Sequence, residues 1–258
     1  MLLAIDVGNT ETKLGIFDDG AESLRQKWRV TTELRRTPDE YGVFFTQLFN
    51  AGGIAISSVD AVVIASVVPK LDPVLEAVCD RFFSVTPRFL KPETQRLMPV
   101  LTERPAEVGA DLVAAAIGAR ARFGAPLIVI SYGTATVFTA VSPAGEYLGA
   151  AIAPGITISI DALVGRTAKL PQIGLDAPAA AIGRNTVDAL HSGIIYGFVG
   201  QTEAIVARMR GEMGHDAKVI VTGGLADVIA KQTVIVDAAD PDASLRGLRL
   251  FHEAMRND

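Results

Sequence analysis

The sequence predicts an α/β protein built from two related halves, and three observations lead to that prediction. Apolar runs of strand length alternate with helical patterns, and the first half reads as three strands, helix, strand, helix. A motif in which a glycine-containing turn separates two predicted strands occurs twice, at residues 6–10 (DVGNT) and 131–136 (SYGTAT). The strand-rich segments 11–31 and 134–152 occupy equivalent places after these two motifs. We therefore expect a duplicated α/β fold.

The elements of the first half follow from periodicity and turn chemistry. The helix that opens at Pro38 should pack Tyr41, Phe44, Phe45 and Leu48 on one face. The segment 86–105 holds four prolines and shows no clear period, so we expect it to cross between the halves. The strands are predicted at 2–6, 12–17, 24–31 and 61–67, and a second helix at 69–83.

The second half repeats this order with different lengths. A helix is predicted from Pro105, then strands at 127–131, 134–141 and 147–152. Further helices end near Val164, run over 187–213 and start at Leu225, and a strand occupies 218–222. We expect the two domains to span residues 1–105 and 106–258.

Composition narrows the class of protein. The 258 residues are 49% hydrophobic and 21% charged, as in ordinary globular proteins, and the net charge is −5. That charge disfavours nucleic acid as a partner, because neutralising phosphates takes clustered Lys and Arg. There is no leader pattern, no unbroken apolar run of spanning length and a single cysteine, Cys79, which we expect in the core. These features predict a cytoplasmic protein with no membrane partner.

Glycines lie at four predicted strand ends, and they indicate where a ligand binds. In open α/β sheets, ligands collect at the carboxyl ends of strands, where loop amides face an anion. A single such glycine is explained equally well by a tight hairpin, but four of them favour nucleotide phosphates. Neither the Gly-Lys-Ser/Thr of a Walker A loop nor a Gly-x-Gly-x-x-Gly pattern is present. The four are Gly8, Gly133, Gly155 and Gly223–Gly224.

Two aspartates are candidates for the reaction itself. Asp6, at the end of the first strand, can organise hydrated Mg²⁺ beside a triphosphate, although an Asp can also cap its own turn. Asp111 lies near the start of a helix among small residues and could accept a proton from a substrate hydroxyl. The alternative for Asp111 is an electrostatic helix cap. In the second glycine-containing motif, Ser131 occupies the position that Asp6 has in the first.

The chain resembles the type III pantothenate kinases of the acetate-kinase/sugar-kinase/Hsp70/actin superfamily. The matching segments are 6–10 (DVGNT), 105–111 (PAEVGAD), 133–136 (GTAT), 149–155 (GAAIAPG), 183–186 (GRNT) and 192–198 (SGIIYGF). They run in order over nearly the whole chain. The resemblance implies two ribonuclease-H-like (actin-like ATPase) domains, each a mixed sheet flanked by helices. It also implies ATP-dependent phosphorylation of pantothenate, the first step to coenzyme A, in a homodimer that uses Mg²⁺ and K⁺ or NH₄⁺.

The resemblance also assigns roles by position. ATP would contact Asp6, Val7, Gly8, Asn9, Thr10, Glu11, Thr12 and Lys13, with Gly133 and Thr134. Asp6 would bind Mg²⁺ and Asp111 would be the base. Pantothenate would contact Gly109, Ala110, Asp111, Leu112 and Thr186.

Three positions depart from the family pattern. Leu112 replaces the usual Arg, Ser131 replaces the Asp that binds the monovalent cation, and Thr102 replaces a frequent Tyr. Losing charge-assisted contacts at the first two would weaken binding of substrate and cation. Two other hypotheses therefore remain open beside the kinase. One is a weakened or inactive nucleotide- or metabolite-binding regulator, and the other is a kinase with a different acceptor.

Overall fold

The computed structural model describes residues 1–167, 170–214 and 216–256. In chain order, the strands are β1 (Leu2–Val7), β2 (Glu11–Phe17), β3 (Leu24–Thr31), β4 (Ala61–Ser66), β5 (Arg88–Phe89), β6 (Leu127–Tyr132), β7 (Ala135–Val141), β8 (Tyr147–Pro154), β9 (Lys218–Thr222) and β10 (Ala238–Ala239). The helices are α1 (Pro38–Ala51), α2 (Asp72–Val78), α3 (Ala110–Phe123), α4 (Ile156–Gly165), α5 (Thr186–Met213), α6 (Ala226–Ala230) and α7 (Ala243–Arg256).

The strands form two five-stranded mixed sheets with the same order. The first is β3-β2-β1-β4-β5 and the second, read in the matching direction, is β8-β7-β6-β9-β10. In each sheet an antiparallel three-strand meander is followed by two strands that pair in parallel. The duplicated α/β fold predicted from the sequence is confirmed.

The first compact unit contains the first sheet and comprises Met1–Met98, Glu103–Gly118 and Asp242–Asp258. Side chains alternate across β1, so Leu3, Ile5 and Val7 join the core formed with the aromatic face of α1. Asp6 lies on the opposite face, where α7 covers the sheet. The predicted core positions Tyr41 and Phe45 are confirmed as buried, and so is Cys79.

The second compact unit contains the second sheet and comprises Pro99–Thr102 and Ala119–Pro241. Its core joins β6, β7 and β9 to α4, α5 and α6. A buried hydrogen bond of 2.7 Å ties the Tyr132 hydroxyl on β6 to Thr202 on α5.

Most predicted elements agree with the structure within a few residues. The region 86–105 was predicted to connect the two halves, but it also contains the short strand β5. Within it, only Pro99–Thr102 belongs to the second unit, and the chain belongs to the first unit again from Glu103. The first unit also takes in 103–118 and 242–258, whereas the expected domain division placed 106–258 together. Strand β8 runs on to Pro154, and α7 was not predicted.

Among the described residues, no helix is both long enough and apolar enough to cross a membrane.

Candidate active site

The first candidate residue, Asp6, is set by the β1–β2 hairpin. It is the penultimate residue of β1 and pairs with Lys13 across the antiparallel ladder. Since paired residues project on the same face, the Lys13 ammonium lies 3.3 Å from the Asp6 Oδ2. Asp6 is buried and Lys13 is partly exposed. The hairpin register therefore produces a buried carboxylate beside a cation.

A second donor reaches the same carboxylate oxygen from the far end of the chain. The Ser244 hydroxyl, in the first turn of α7, donates to Asp6 Oδ2 at 2.6 Å. Both residues are buried, and they lie 238 positions apart in sequence. The orientation of Asp6 is thus fixed by one neighbour on β2 and one on α7.

The third group, Asp111, lies at the start of α3. Its Oδ1 accepts a hydrogen bond from its neighbour, the Leu112 amide, at 2.9 Å. A Cβ at Gly109 would lie 2.5 Å from that Oδ1, so the glycine leaves room for the carboxylate. Burial, and then the charge of Asp6, raise the pKa of Asp111 from 3.8 to about 6, while Lys13 opposes the rise. A carboxylate of this pKa can accept a proton near neutral pH.

Asp6, Lys13 and Asp111 form what we call the carboxylate cluster. Two carboxylates share one ammonium, so the cluster carries excess negative charge in a poorly solvated place. A divalent cation would compensate that charge, and Mg²⁺ is usually held by one or two carboxylates together with substrate phosphates. The residues present therefore fit Mg²⁺.

The turn between β1 and β2 is held by Thr32, the residue that follows β3. The Thr32 hydroxyl donates to the Gly8 carbonyl at 2.7 Å and lies 2.9 Å from the Thr12 hydroxyl. Among the residues predicted to contact ATP, Val7 points its side chain into the core and Thr12 is buried against Thr32. The Glu11 carboxylate pairs with Arg29. Asn9 and Thr10 are exposed at the tip.

The hairpin formed by β6 and β7, the second hairpin, has uncharged residues at the positions that correspond to Asp6 and Lys13. Ser131 is the penultimate residue of β6, as Asp6 is of β1, and it pairs with Val137 on β7 and Thr222 on β9. The Gly133 amide donates to the Ala135 carbonyl at 3.0 Å, and Thr134 completes the turn.

Two other strand ends come into direct contact with this second turn. A Cβ at Gly155 would lie 2.3 Å from the Thr134 carbonyl oxygen and 2.4 Å from that of Gly133. A Cβ at Gly223, whose φ is +96°, would lie 2.4 Å from the Tyr132 carbonyl oxygen. Three of the four predicted glycine strand ends thus gather in the second unit, and at Gly155 and Gly223 only glycine allows the backbones to approach this closely.

Thr186 opens α5 and is exposed. The preceding Asn185 caps the helix by accepting from the Asp188 amide at 2.9 Å. Gly183 lets the loop lie against the first turn, where an added Cβ would be 2.2 Å from the Ala189 nitrogen. Of the residues predicted for the acceptor substrate, Gly109, Ala110, Asp111 and Leu112 belong to the first unit and Thr186 to the second.

Sequence reasoning missed Ser244. The pattern at Leu245, Leu248 and Phe251, preceded by Pro241, is typical of an amphipathic helix and would have predicted α7. Nothing in that pattern says that the serine would meet Asp6, because the contact depends on how the C-terminal helix packs on the first sheet.

Comparison with solved structures defines the class. The activator of 2-hydroxyisocaproyl-CoA dehydratase from Clostridium difficile with bound ADPNP gives a TM-score of 0.61 at 12% identity, over 99% of this chain and 96% of that one. A structure described as a 2-dehydro-3-deoxygalactonokinase from Sinorhizobium meliloti gives 0.62 at 13% identity, over 99% of both chains. At such identities the likeness shows the fold alone, which is that of the actin-like sugar kinases and ATPase activators.

Sequence comparison then narrows this class to one family. The sequence model of the type III pantothenate kinase family matches residues 2–208. A protein named type III pantothenate kinase from Anaeromyxobacter sp. (strain Fw109-5) is 49% identical over 256 residues, which cover 99% of this chain and 100% of the relative. The chain belongs to the type III pantothenate kinase family, and the resemblance drawn from its motifs is confirmed.

Proposed function

We propose that this protein transfers the γ-phosphoryl group of ATP to the primary hydroxyl of pantothenate, the first step of coenzyme A biosynthesis. Family membership supports the reaction, and the carboxylate cluster supports the chemistry. The single observation that carries the mechanism is the placing of the Asp111 carboxylate, at the start of α3, close enough to Asp6 and Lys13 for their charges to act on it, and the raised pKa of Asp111 agrees with this. The Anaeromyxobacter relative is named as a kinase and not as a regulator, so the regulatory alternative gains no support from it.

Asp111 acts as the general base in this proposal. Its carboxylate takes the proton of the substrate hydroxyl as that oxygen bonds to the γ-phosphorus. The bond between the γ-phosphorus and the bridging oxygen breaks, and ADP leaves with the electron pair. A pKa of about 6 leaves most of the carboxylate ionised at neutral pH and keeps it basic enough to accept the proton.

Asp6 would hold Mg²⁺, with Lys13 and the turn from Gly8 to Thr10 beside the triphosphate. When bound, Mg²⁺ neutralises negative charge on the transferring phosphoryl group. Lys13 and Ser244 fix the Asp6 carboxylate, and both contact Oδ2, so the second oxygen, Oδ1, bonds to neither of these donors. The exposed Asn9 and Thr10 supply polar groups at the tip.

In the second unit we assign the turn at Gly133 and Thr134 to ATP. The close approach of Gly155 and Gly223 supports this role, because glycines at these two positions keep side chains away from the turn and leave it accessible to a ligand. Ser131 occupies the position proposed for K⁺ or NH₄⁺, with a hydroxyl in place of a carboxylate. The pantothenate contacts are assigned to Gly109, Ala110, Leu112 and Thr186.

We further propose that the protein is a cytoplasmic homodimer. The second unit exposes large apolar side chains on β8, on α4 and along the first half of α5. Exposed large apolar side chains are candidates for burial at a subunit interface, and closed two-fold dimers are the commonest oligomers. The side chains are Leu148, Ile152, Ile158, Leu163, Val187 and Tyr196.

The test is an assay of ATP-dependent phosphorylation of pantothenate by the purified protein, with and without NH₄⁺ or K⁺. Asp111→Asn should lower kcat by about 10²- to 10⁴-fold, the range that a general base contributes. The matched control is Asp39→Asn, because Asp39 is also an acid in the first turn of a helix but pairs with Arg81. Equal rates for wild type and Asp111→Asn would overturn the mechanism. Absence of turnover by the wild type would overturn the function.

A further inference from the structure

The C-terminal helix α7 builds one wall of the carboxylate cluster. It packs on β1, β2 and β4, the strands that carry or flank Asp6 and Lys13. Ser244 in its first turn is the residue that reaches the cluster. The family match ends at residue 208, so it assigns no role to this helix.

Helix α7 also contacts the helix that carries Asp111. A Cβ at Gly247 would lie 1.8 Å from the Ala114 carbonyl oxygen, and a Cβ at Gly118 would lie 2.0 Å from that of Ala243. The backbones of α3 and α7 are therefore in close contact at two points, where a side chain on either glycine would force the helices apart. The same helix thus contacts Asp6 directly and holds the helix of Asp111.

The hydrogen bond from Ser244 has two possible consequences. It satisfies one lone pair of a buried carboxylate, as any buried polar group requires. It also restricts rotation of that carboxylate, because Lys13 reaches the same Oδ2 from a different element. Outer residues that orient a metal-binding carboxylate typically contribute 10- to 100-fold to metal affinity or activity.

We propose that Ser244 is a positioning residue that holds the Asp6 carboxylate in the orientation that binds Mg²⁺–ATP. The proposal rests on the proposed function, since Asp6 is the Mg²⁺ ligand there. Ser244 acts through Asp6, and the close crossing of α3 and α7 places its hydroxyl.

The first test compares two alanine substitutions. Ser244→Ala removes the hydroxyl at Asp6, and Ser142→Ala is the matched control, because the Ser142 hydroxyl is also buried and donates to a carboxylate, that of Glu146, at 2.8 Å. Ser244→Ala should weaken ATP binding in the presence of Mg²⁺ by about 10- to 100-fold and leave binding in EDTA unchanged within about twofold. Ser142→Ala should change neither by more than about twofold. Isothermal titration calorimetry measures both.

The second test is a double-mutant cycle with Asp6→Asn, read out as the affinity for ATP in Mg²⁺. If Ser244 acts through Asp6, adding Ser244→Ala to Asp6→Asn should cost less than about twofold. Multiplying effects in the double variant would overturn the positioning role. Equal losses for Ser244→Ala and Ser142→Ala would overturn it as well.

A further variant of Ser244 and the turnover rate as a separate readout keep the outcomes distinct. If Ser244→Ala does not fold, Ser244→Cys keeps the shape and supplies a weaker donor, and the same expectations apply to it. Wild-type protein that binds ATP with Mg²⁺ but does not phosphorylate pantothenate would overturn the proposed function and leave this cycle valid. A normal turnover rate for Ser244→Ala together with unchanged Mg²⁺ dependence would overturn the inference alone.

Discussion

The β1–β2 and β6–β7 hairpins stand at the same place in two sheets of one strand order, but their side chains differ in charge. In the first, Asp6 pairs with Lys13 and lies next to Ala65 on the parallel neighbour. In the second, the corresponding residues are Ser131, Val137 and Thr222. One hairpin presents a buried carboxylate paired with a partly exposed ammonium, and the other presents the Ser131 hydroxyl beside the uncharged side chains of Val137 and Thr222.

The glycines of the two hairpins differ in whether their close contacts lie within the turn or come from other strand ends. A Cβ at Gly8 would lie 2.9 Å from the Glu11 carbonyl oxygen of the same turn, which is a local constraint. The second turn is closed in by Gly155 and Gly223 from two other strand ends. The duplicated scaffold has therefore placed charge at the first hairpin and close backbone packing around the second. The comparison can be tested by exchanging residues between the two hairpins.

The largest effect should come from Asp6→Ser, which gives the first hairpin the residue of the second. Lys13 and Ser244 lose their common acceptor, and the cluster loses half its negative charge. We expect kcat to fall by about 10²- to 10³-fold, the scale of removing one preorganised electrostatic contact. The phosphorylation assay measures this change.

The control for Asp6→Ser is Asp18→Ser. Asp18 forms an exposed ion pair with Arg25 at 3.0 Å, and such surface pairs contribute little. Comparable losses of activity in the two variants would show that the charge of the first hairpin has no special role.

The next largest effect should be on folding, with Gly223→Ala set against Gly8→Ala. Alanine at 223 meets a backbone oxygen at 2.4 Å and must adopt a φ of +96°, so two penalties combine. We expect the free energy of unfolding to fall by about 3 kcal/mol or more at Gly223 and by about 1 kcal/mol at Gly8. Urea titrations measure both, and a larger loss at Gly8 would reverse the assignment of close packing to the second hairpin.

Local pattern was enough to predict both hairpins. The apolar runs, the glycines and the equivalent spacing predicted β1, β2, β6 and β7 within one residue at every end. The pairing of Asp6 with Lys13 then follows from the register of a tight hairpin. These features depend on neighbours in sequence, where period and turn chemistry act directly.

The parts that were not predicted depend on long-range packing. Strands β5 and β10 have two residues each, too few for any period to show. Ser244 meets Asp6 across 238 positions, and its helix returns to a sheet formed by the other end of the chain. The raised pKa of Asp111 arises from the same convergence, because burial and the charge of Asp6 act on it only in the fold.

A smaller effect should appear in the pH dependence of stability, because burial and the nearby charge of Asp6 in the first hairpin raise the pKa of Asp111. Since that pKa rises from 3.8 to about 6 on folding, ionised Asp111 costs stability above pH 6 and none below about pH 4. Full burial would make the cost about 3 kcal/mol, and screening of a partly exposed side chain reduces it. Asp111→Asn should therefore stabilise the protein by about 1 to 2 kcal/mol at pH 8 and leave it unchanged at pH 4.

Denaturant unfolding at the two pH values measures this difference, with Asp39→Asn as the control. A gain that is the same at pH 4 and pH 8 would mean that the ionisation of Asp111 is not its source.

The smallest effect should come from Ser131→Asp, which gives the second hairpin the residue of the first. A carboxylate binds a hard monovalent cation better than a neutral hydroxyl does, and the proposed site has neither Lys nor Arg among the ladder partners Val137 and Thr222 to compete for it. We expect the K⁺ concentration for half-maximal activity to fall by about tenfold, which corresponds to about 1.4 kcal/mol. Without K⁺, the new carboxylate lacks the ammonium that Lys13 provides to Asp6, so the variant should unfold at a lower temperature than the wild type and recover when K⁺ is added. If K⁺ changes neither activity nor the unfolding temperature of this variant, position 131 does not bind the cation, and the two hairpins differ in more than the residue at that position.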